Sequence, residues 1–195
     1  MAKPLWAPSE QRIKQCNMYR FLNIVNQRFD KNYHEYAELY EWSTENIAEF
    51  WATFWDFADI IATKPYDHVL DDLGKMPGAK WFSGSRLNFA QNLLRYRDDR
   101  TALIFNGESQ VARRMTYQEL YDEVARIAKS LKAAGVEKGD RVVGFMPNMP
   151  ETIVAMLAAA SMGATWSSCS PDFGIKGVLD RFGQIQPKVL FTADC

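Results

Sequence analysis

Cysteine and histidine are scarce in this 195-residue chain, and charge of neither sign dominates it. The three cysteines, Cys16, Cys169 and Cys195, are odd in number, far apart and without paired histidines nearby. That argues against a disulfide framework and against a zinc site, and it fits a reducing, cytoplasmic setting. Lysine and arginine total 23 against 24 acidic residues, a net charge of −1, so no field exists to draw in nucleic acid or an anionic membrane. The stretch Met1-Ala2-Lys3-Pro4-Leu5-Trp6-Ala7-Pro8 has no apolar core followed by a cleavage site, so a signal peptide is not expected. Residues 152–171 carry no charge and approach the length of a membrane span. Only residues 153–160 are continuously apolar, however, and Gly163 with a run of serines follows, so a buried helix leading into a buried strand is expected instead. Neither common phosphate fingerprint occurs among the glycines between 135 and 183.

What is present is a globular composition, 47% hydrophobic and 24% charged, enough to bury a core. Residues 11–29 read as one helix with Met18, Phe21, Leu22, Val25 and Phe29 on one face. Ser43 or Thr44 is expected to cap a second helix, whose stripe of Ile47, Phe50, Trp51, Phe54, Trp55 and Ala58 is mostly aromatic. That stripe either packs within the protein or faces a partner or lipid. Residues 64–85, rich in proline, glycine and acids, read as a linker or irregular crossing segment.

Beyond Asn88 the pattern changes. A short helix to about Arg95 leads to a strand over 101–105, a turn at Asn106-Gly107 and a returning strand over 110–115. Thr116-x-x-Glu119 forms a capping box for a long helix with Leu120, Val124, Ile127, Ala128 and Leu131 buried, and Gly135 ends it. Strands at 141–145, 164–169 and 188–192 alternate with helices at 151–161, started by Pro150, and at 175–184. The fold class expected is therefore α/β, an N-terminal helical segment followed by the start of a mostly parallel sheet with helices on its faces. The last strand is followed at once by Asp194-Cys195, so the sheet is expected to be truncated there, with an open edge.

In such sheets ligands settle beyond the carboxyl ends of the strands, which here means residues 146–149 and 170–174. Asn148 is expected to cap the helix begun by Pro150, and Glu151 to complement its dipole. Asp172 is expected to cap the next helix, Arg181 and Asp180 can pair, and a phosphate role for Arg181 is the alternative. His34 and His68 have no partner at ligand spacing, so no metal site is expected, and Cys169 reads as packing. The six tryptophans are too scattered for a base-stacking platform.

The run Gly135-Val136-Glu137-Lys138-Gly139-Asp140-Arg141-Val142-Val143, with Met146-Pro147-Asn148-Met149-Pro150-Glu151, resembles the first conserved block of the adenylate-forming acyl-CoA ligases. Residues 81–94, from Trp81-Phe82-Ser83-Gly84-Ser85-Arg86 to Leu94, resemble the junction between the N-terminal helical segment and the main domain in acetyl-CoA-synthetase-like members. Ser167-Ser168-Cys169-Ser170-Pro171-Asp172-Phe173-Gly174 with Val178-Leu179-Asp180-Arg181-Phe182 is similar to the acetoacetate-activating branch rather than the acetate-activating one.

The resemblance implies an N-terminal helical segment and linker over 1–85 and an incomplete first part of the AMP-forming domain over 86–195. It implies an acid–thiol ligase of lipid metabolism and ketone-body utilisation, using ATP, Mg2+, coenzyme A and acetoacetate, with no nucleic acid and no membrane span. The phosphate loop, acyl pocket and catalytic residues would lie beyond Cys195. The chain alone is then expected to be inactive, to bind none of these tightly, and to need the remainder of its own polypeptide. Ser170, Pro171 and Asp172 stand where such ligases have Phe-Gly-Gly beside coenzyme A, and are the residues the resemblance marks as coenzyme-lining; no catalytic residue is assigned. The alternatives are an acetate- or propionate-activating ligase fragment, or a non-catalytic coenzyme-binding or interaction module.

Overall fold

The computed structural model describes residues 5–108 and 112–193, and the chain divides into two compact units, Met1–Arg86 and Leu87–Cys195. The first is helical and then strand-poor: α1 (Glu10–Gln15), α2 (Asn17–Phe29), α3 (Tyr36–Glu45) and α4 (Ile47–Phe57), followed by β1 (Ala62–Lys64), β2 (His68–Leu70), β3 (Trp81–Ser83) and, at the unit boundary, β4 (Arg86–Leu87). Its core is Phe21, Leu22 and Val25 of α2 against Leu39 and Trp42 of α3. Phe50, Phe54 and Phe57 of α4 meet the Phe21 ring edge-on at 5.3 to 6.0 Å, so Phe50 of the aromatic stripe packs inward, whereas Trp51 and Phe54 also remain exposed. Trp55 packs on Phe82 in a tilted arrangement, with ring centres 4.7 Å apart.

Two expectations fail in this unit. Residues 11–29 are two helices, because Cys16 is extended (φ −81°, ψ 155°) and its thiol accepts the Tyr19 N–H as the cap of α2. Ser43 and Thr44 cap nothing: they lie in the last turn of α3 and donate to the Tyr40 and Glu41 carbonyls. The helix they were expected to start begins after Asn46, and α3 itself is opened by a Glu35–Glu38 capping box. The segment 64–85 is partly ordered, with β2 and β3 antiparallel and Leu70 opposite Trp81.

The second unit holds α5 (Phe89–Leu93), β5 (Thr101–Asn106), β6 (Ala112–Thr116), α6 (Tyr117–Ala133), β7 (Arg141–Phe145), α7 (Pro150–Ser161), β8 (Thr165–Cys169), α8 (Ile175–Ile185) and β9 (Val189–Thr192). β5 and β6 form the expected antiparallel hairpin, with Asn106 opposite Ala112; Gln110 lies outside the described residues. Both bonds of the Thr116–Glu119 capping box are made, and Gly135 takes φ 78° just past α6. Lys188 donates to the Gly135 carbonyl and to Asp140, tying the loop after α6 to the start of β9.

The sheet is parallel, in the order β8-β7-β9, with Arg141 opposite Thr165 and Val142 opposite Val189. Side chains alternate along β7, which is why a helix is needed on each side. Val142 packs into the core built by Leu120, Val124 and Leu131 of α6 and Val154, Leu157 and Ala158 of α7. Val143 packs instead with Cys169 and with Phe182 of α8. Both valines are fully buried, each side chain contributing about 1.5–3 kcal/mol of transfer free energy. The uncharged stretch 152–171 resolves into α7 and β8, and among the described residues no helix is long and apolar enough to cross a membrane.

Candidate functional site

Because the three strands run in one direction, Phe145, Cys169 and Thr192 end at the same rim, and the loops 146–149 and 170–174 leave from it. In the first loop Pro150 dictates the geometry. It occupies the first helical position and forces Met149 into an extended conformation (φ −132°, ψ 163°), which makes Met149 the cap residue with no side-chain bond. Asn148 therefore falls one residue too early to cap α7, contrary to expectation. The loop is fastened instead by Thr152, whose hydroxyl donates to the Pro147 carbonyl at 2.7 Å. Glu151 sits in the first turn of α7 as expected and accepts from Arg113 of β6 at 2.5 Å.

The second loop is an exposed turn. Phe173 N–H donates to the Ser170 carbonyl at 3.1 Å, and the Ser170 hydroxyl donates to the Asp172 carboxylate at 2.7 Å. That bond commits Asp172 to the loop, and α8 is entered at Gly174, which has no side-chain cap; the expected cap by Asp172 is thus not made. A side chain built at Gly174 would meet nothing within 4 Å, so the approach to this turn is open. Pro171 brings a carbonyl but no N–H to this turn. Arg181 and Asp180 do not pair. The Arg181 guanidinium lies 3.9 Å from the centre of the Phe173 ring and donates to the Gly177 carbonyl. This stack escaped the sequence reading, although residues 177 and 181 share one side of α8 and Phe173 lies just before its cap.

Beside the rim a cavity of about 190 Å³ opens between β6, α6 and α7, floored by Met115 and Val154 and edged by the Arg113–Glu151 and Arg126–Glu123 pairs. The carboxylates with depressed pKa values lie elsewhere and are explained locally. Asp140 is lowered first by the Lys188 ammonium and then by the Glu137 N–H, Asp98 by Arg100, and Glu38 by the N–H groups of His34 and Glu35. Among the described residues no group of three or more His, Cys, Asp or Glu is placed to hold a metal ion. Cys169 is buried beside Val143, as its packing role requires. The rim therefore offers backbone and hydroxyl groups that can bind and orient a ligand.

A two-sided parallel sheet with polar loops at its carboxyl rim is the frame of a ligand-binding α/β enzyme, and the chain belongs to the AMP-binding enzyme family, which matches residues 89–195. A second family, the acetyl-coenzyme A synthetase N-terminus, matches residues 36–93. Among curated proteins the chain is similar to the acetoacetyl-coenzyme A synthetase of Rhizobium meliloti, 44% identical over 192 residues, covering 98% of this chain and 29% of that protein. It is also similar to the acetoacetyl-CoA synthetase of Macaca fascicularis, 46% identical over 194 residues, covering 97% and 28%. Among solved structures it superposes on acetoacetyl-CoA synthetase from Streptomyces lividans with a TM-score of 0.90 at 42% identity, covering 98% of this chain and 30% of that one. The chain thus spans under a third of the length of the relatives it matches.

Proposed function

We propose that this chain works as part of a longer ATP-dependent acetoacetate:CoA ligase, in the cytoplasm. The reaction converts acetoacetate and ATP to acetoacetyl-adenylate and pyrophosphate, after which the thiol of coenzyme A displaces AMP to give acetoacetyl-CoA. The observation that supports this reading above all is agreement in both sequence and backbone, over nearly the whole chain, with a structure named for that enzyme. Residues 1–85 are then the helical segment and linker, and residues 86–195 the first portion of the adenylation domain. The ATP-handling loop, the Mg2+ ligands and the acyl pocket belong to the remainder of the polypeptide, and these residues alone carry no activity.

Within this portion Ser170, Pro171 and Asp172 line coenzyme A. The open approach at Gly174 and the uncapped start of α8 support that role. The loop's task is to hold the coenzyme by its backbone and present the thiol, with no proton transfer assigned to it.

The test is acid-dependent ATP–pyrophosphate exchange by the full-length polypeptide. Exchange that rises with acetoacetate more than with acetate or propionate is expected, and the 195-residue chain by itself gives none. A preference for acetate or propionate overturns the substrate while keeping the ligase class. Absence of exchange with every acid overturns the reading.

A further inference from the structure

Resting on the coenzyme A reading of residues 170–172, we propose that Phe173, Gly177 and Arg181 form a stacked brace that positions this loop, with Arg181 as a positioning residue for the thioester half-reaction. Gly177 and Arg181 are spaced by four along one side of α8, and Phe173 lies just before its start. Phe173 immediately precedes the cap residue Gly174, and its ring folds back over the helix beside Gly177. The missing side chain at 177 makes this possible. A Cβ there would stand 3.3 Å from Phe173 Cδ1 and 3.4 Å from Arg181 Nη1, closer than either neighbour accommodates freely.

Arg181 closes the stack from the other end. Its guanidinium carbon is 3.9 Å from the ring centre, and Nη1 donates to the Gly177 carbonyl at 3.3 Å. Its neighbour Asp180 forms no ion pair with it, so ring and helix carbonyl together set where the guanidinium lies. The link to the loop is direct, because Phe173 N–H is the donor that closes the turn on the Ser170 carbonyl. Fixing the ring therefore fixes residues 170–173, which otherwise form a solvent-exposed turn with few contacts of the kind that opens readily.

The test uses the full-length protein with Arg181→Ala and Arg181→Lys, followed by three readouts: ATP–pyrophosphate exchange, thioester formation against coenzyme A concentration, and chymotryptic cleavage after Phe173 read by mass spectrometry. An exposed cation–π contact corresponds to a change of about 2- to 5-fold. Arg181→Ala is expected to raise the KM for coenzyme A by that factor and to speed cleavage after Phe173, with exchange and kcat unchanged. Arg181→Lys, which keeps the cation but not the flat stack, recovers part of both effects. An unchanged KM with unchanged cleavage, or an equal loss in exchange, overturns the brace. If the wild type forms neither adenylate nor thioester, the ligase reading fails, and the cleavage rate still decides whether Arg181 holds the loop.

Discussion

Gly144 shows what a single residue decides in this sheet. It is the fourth of the five residues of β7, and a Cβ there would lie 2.6 Å from both Cη2 and Cζ2 of Trp166 on β8. The indole crosses the strand only because nothing stands in its path. Gly144→Ala is expected to destabilise the protein by about 1–3 kcal/mol through overpacking, measured by urea unfolding followed by tryptophan fluorescence. Asp71 illustrates a different residue-scale effect, at an exposed turn. Its carboxyl is lowered to about 2, first by the Lys80 N–H and then by Lys75 and the Asp72 N–H. Since the folded value is below the usual 3.8, the group contributes stability that is present above that value and lost as pH falls toward about 2. Carbon-detected NMR titration is expected to place the Asp71 midpoint near 2, and Lys75→Met to leave the midpoint still below 3.8, because the Lys80 N–H is its largest cause.

The elements that could be read locally are those whose signals are chemical and short-range. Thr116 and Glu119 exchange bonds across one turn, Thr116 Oγ1 accepting from the Glu119 N–H at 3.1 Å and Glu119 accepting from the Thr116 N–H at 2.7 Å. Thr116→Ala is expected to cost about 0.5–2 kcal/mol in chemical denaturation, and Thr116→Ser much less. Gly135 and Pro150 are legible for the same reason, since each restricts its own backbone. The elements that were missed lack such marks. α3 buries only Leu39 and Trp42 and is capped by a glutamate, a residue outside the usual capping set. The break at Cys16 depends on a thiol acting as acceptor, and Ser43 and Thr44 turn their hydroxyls backward rather than forward. Asn148 and Asp172 missed their caps by position: Pro150 displaces the first, and the Ser170 hydroxyl captures the second.

At the scale of the molecule, the two units have separate cores, one aromatic and built by α2 to α4, the other aliphatic and built around β7. The difference was visible in composition, because the aromatic stripe of α4 and the alanine-rich face of α7 are already distinct on the page. By itself the sequence determined the alternation of strand and helix beyond Asn88, the parallel order that short alternating segments require, and the ligase family, because periodicity, caps and ordered motifs are local and additive. The tertiary structure alone decided that β7 is the central strand, that Trp166 lies across Gly144, and that Arg181 stacks on Phe173 instead of pairing with Asp180. Those outcomes turn on which side chains meet across elements and on space left by absent Cβ atoms, and no local pattern encodes a distance between residues that only folding brings together.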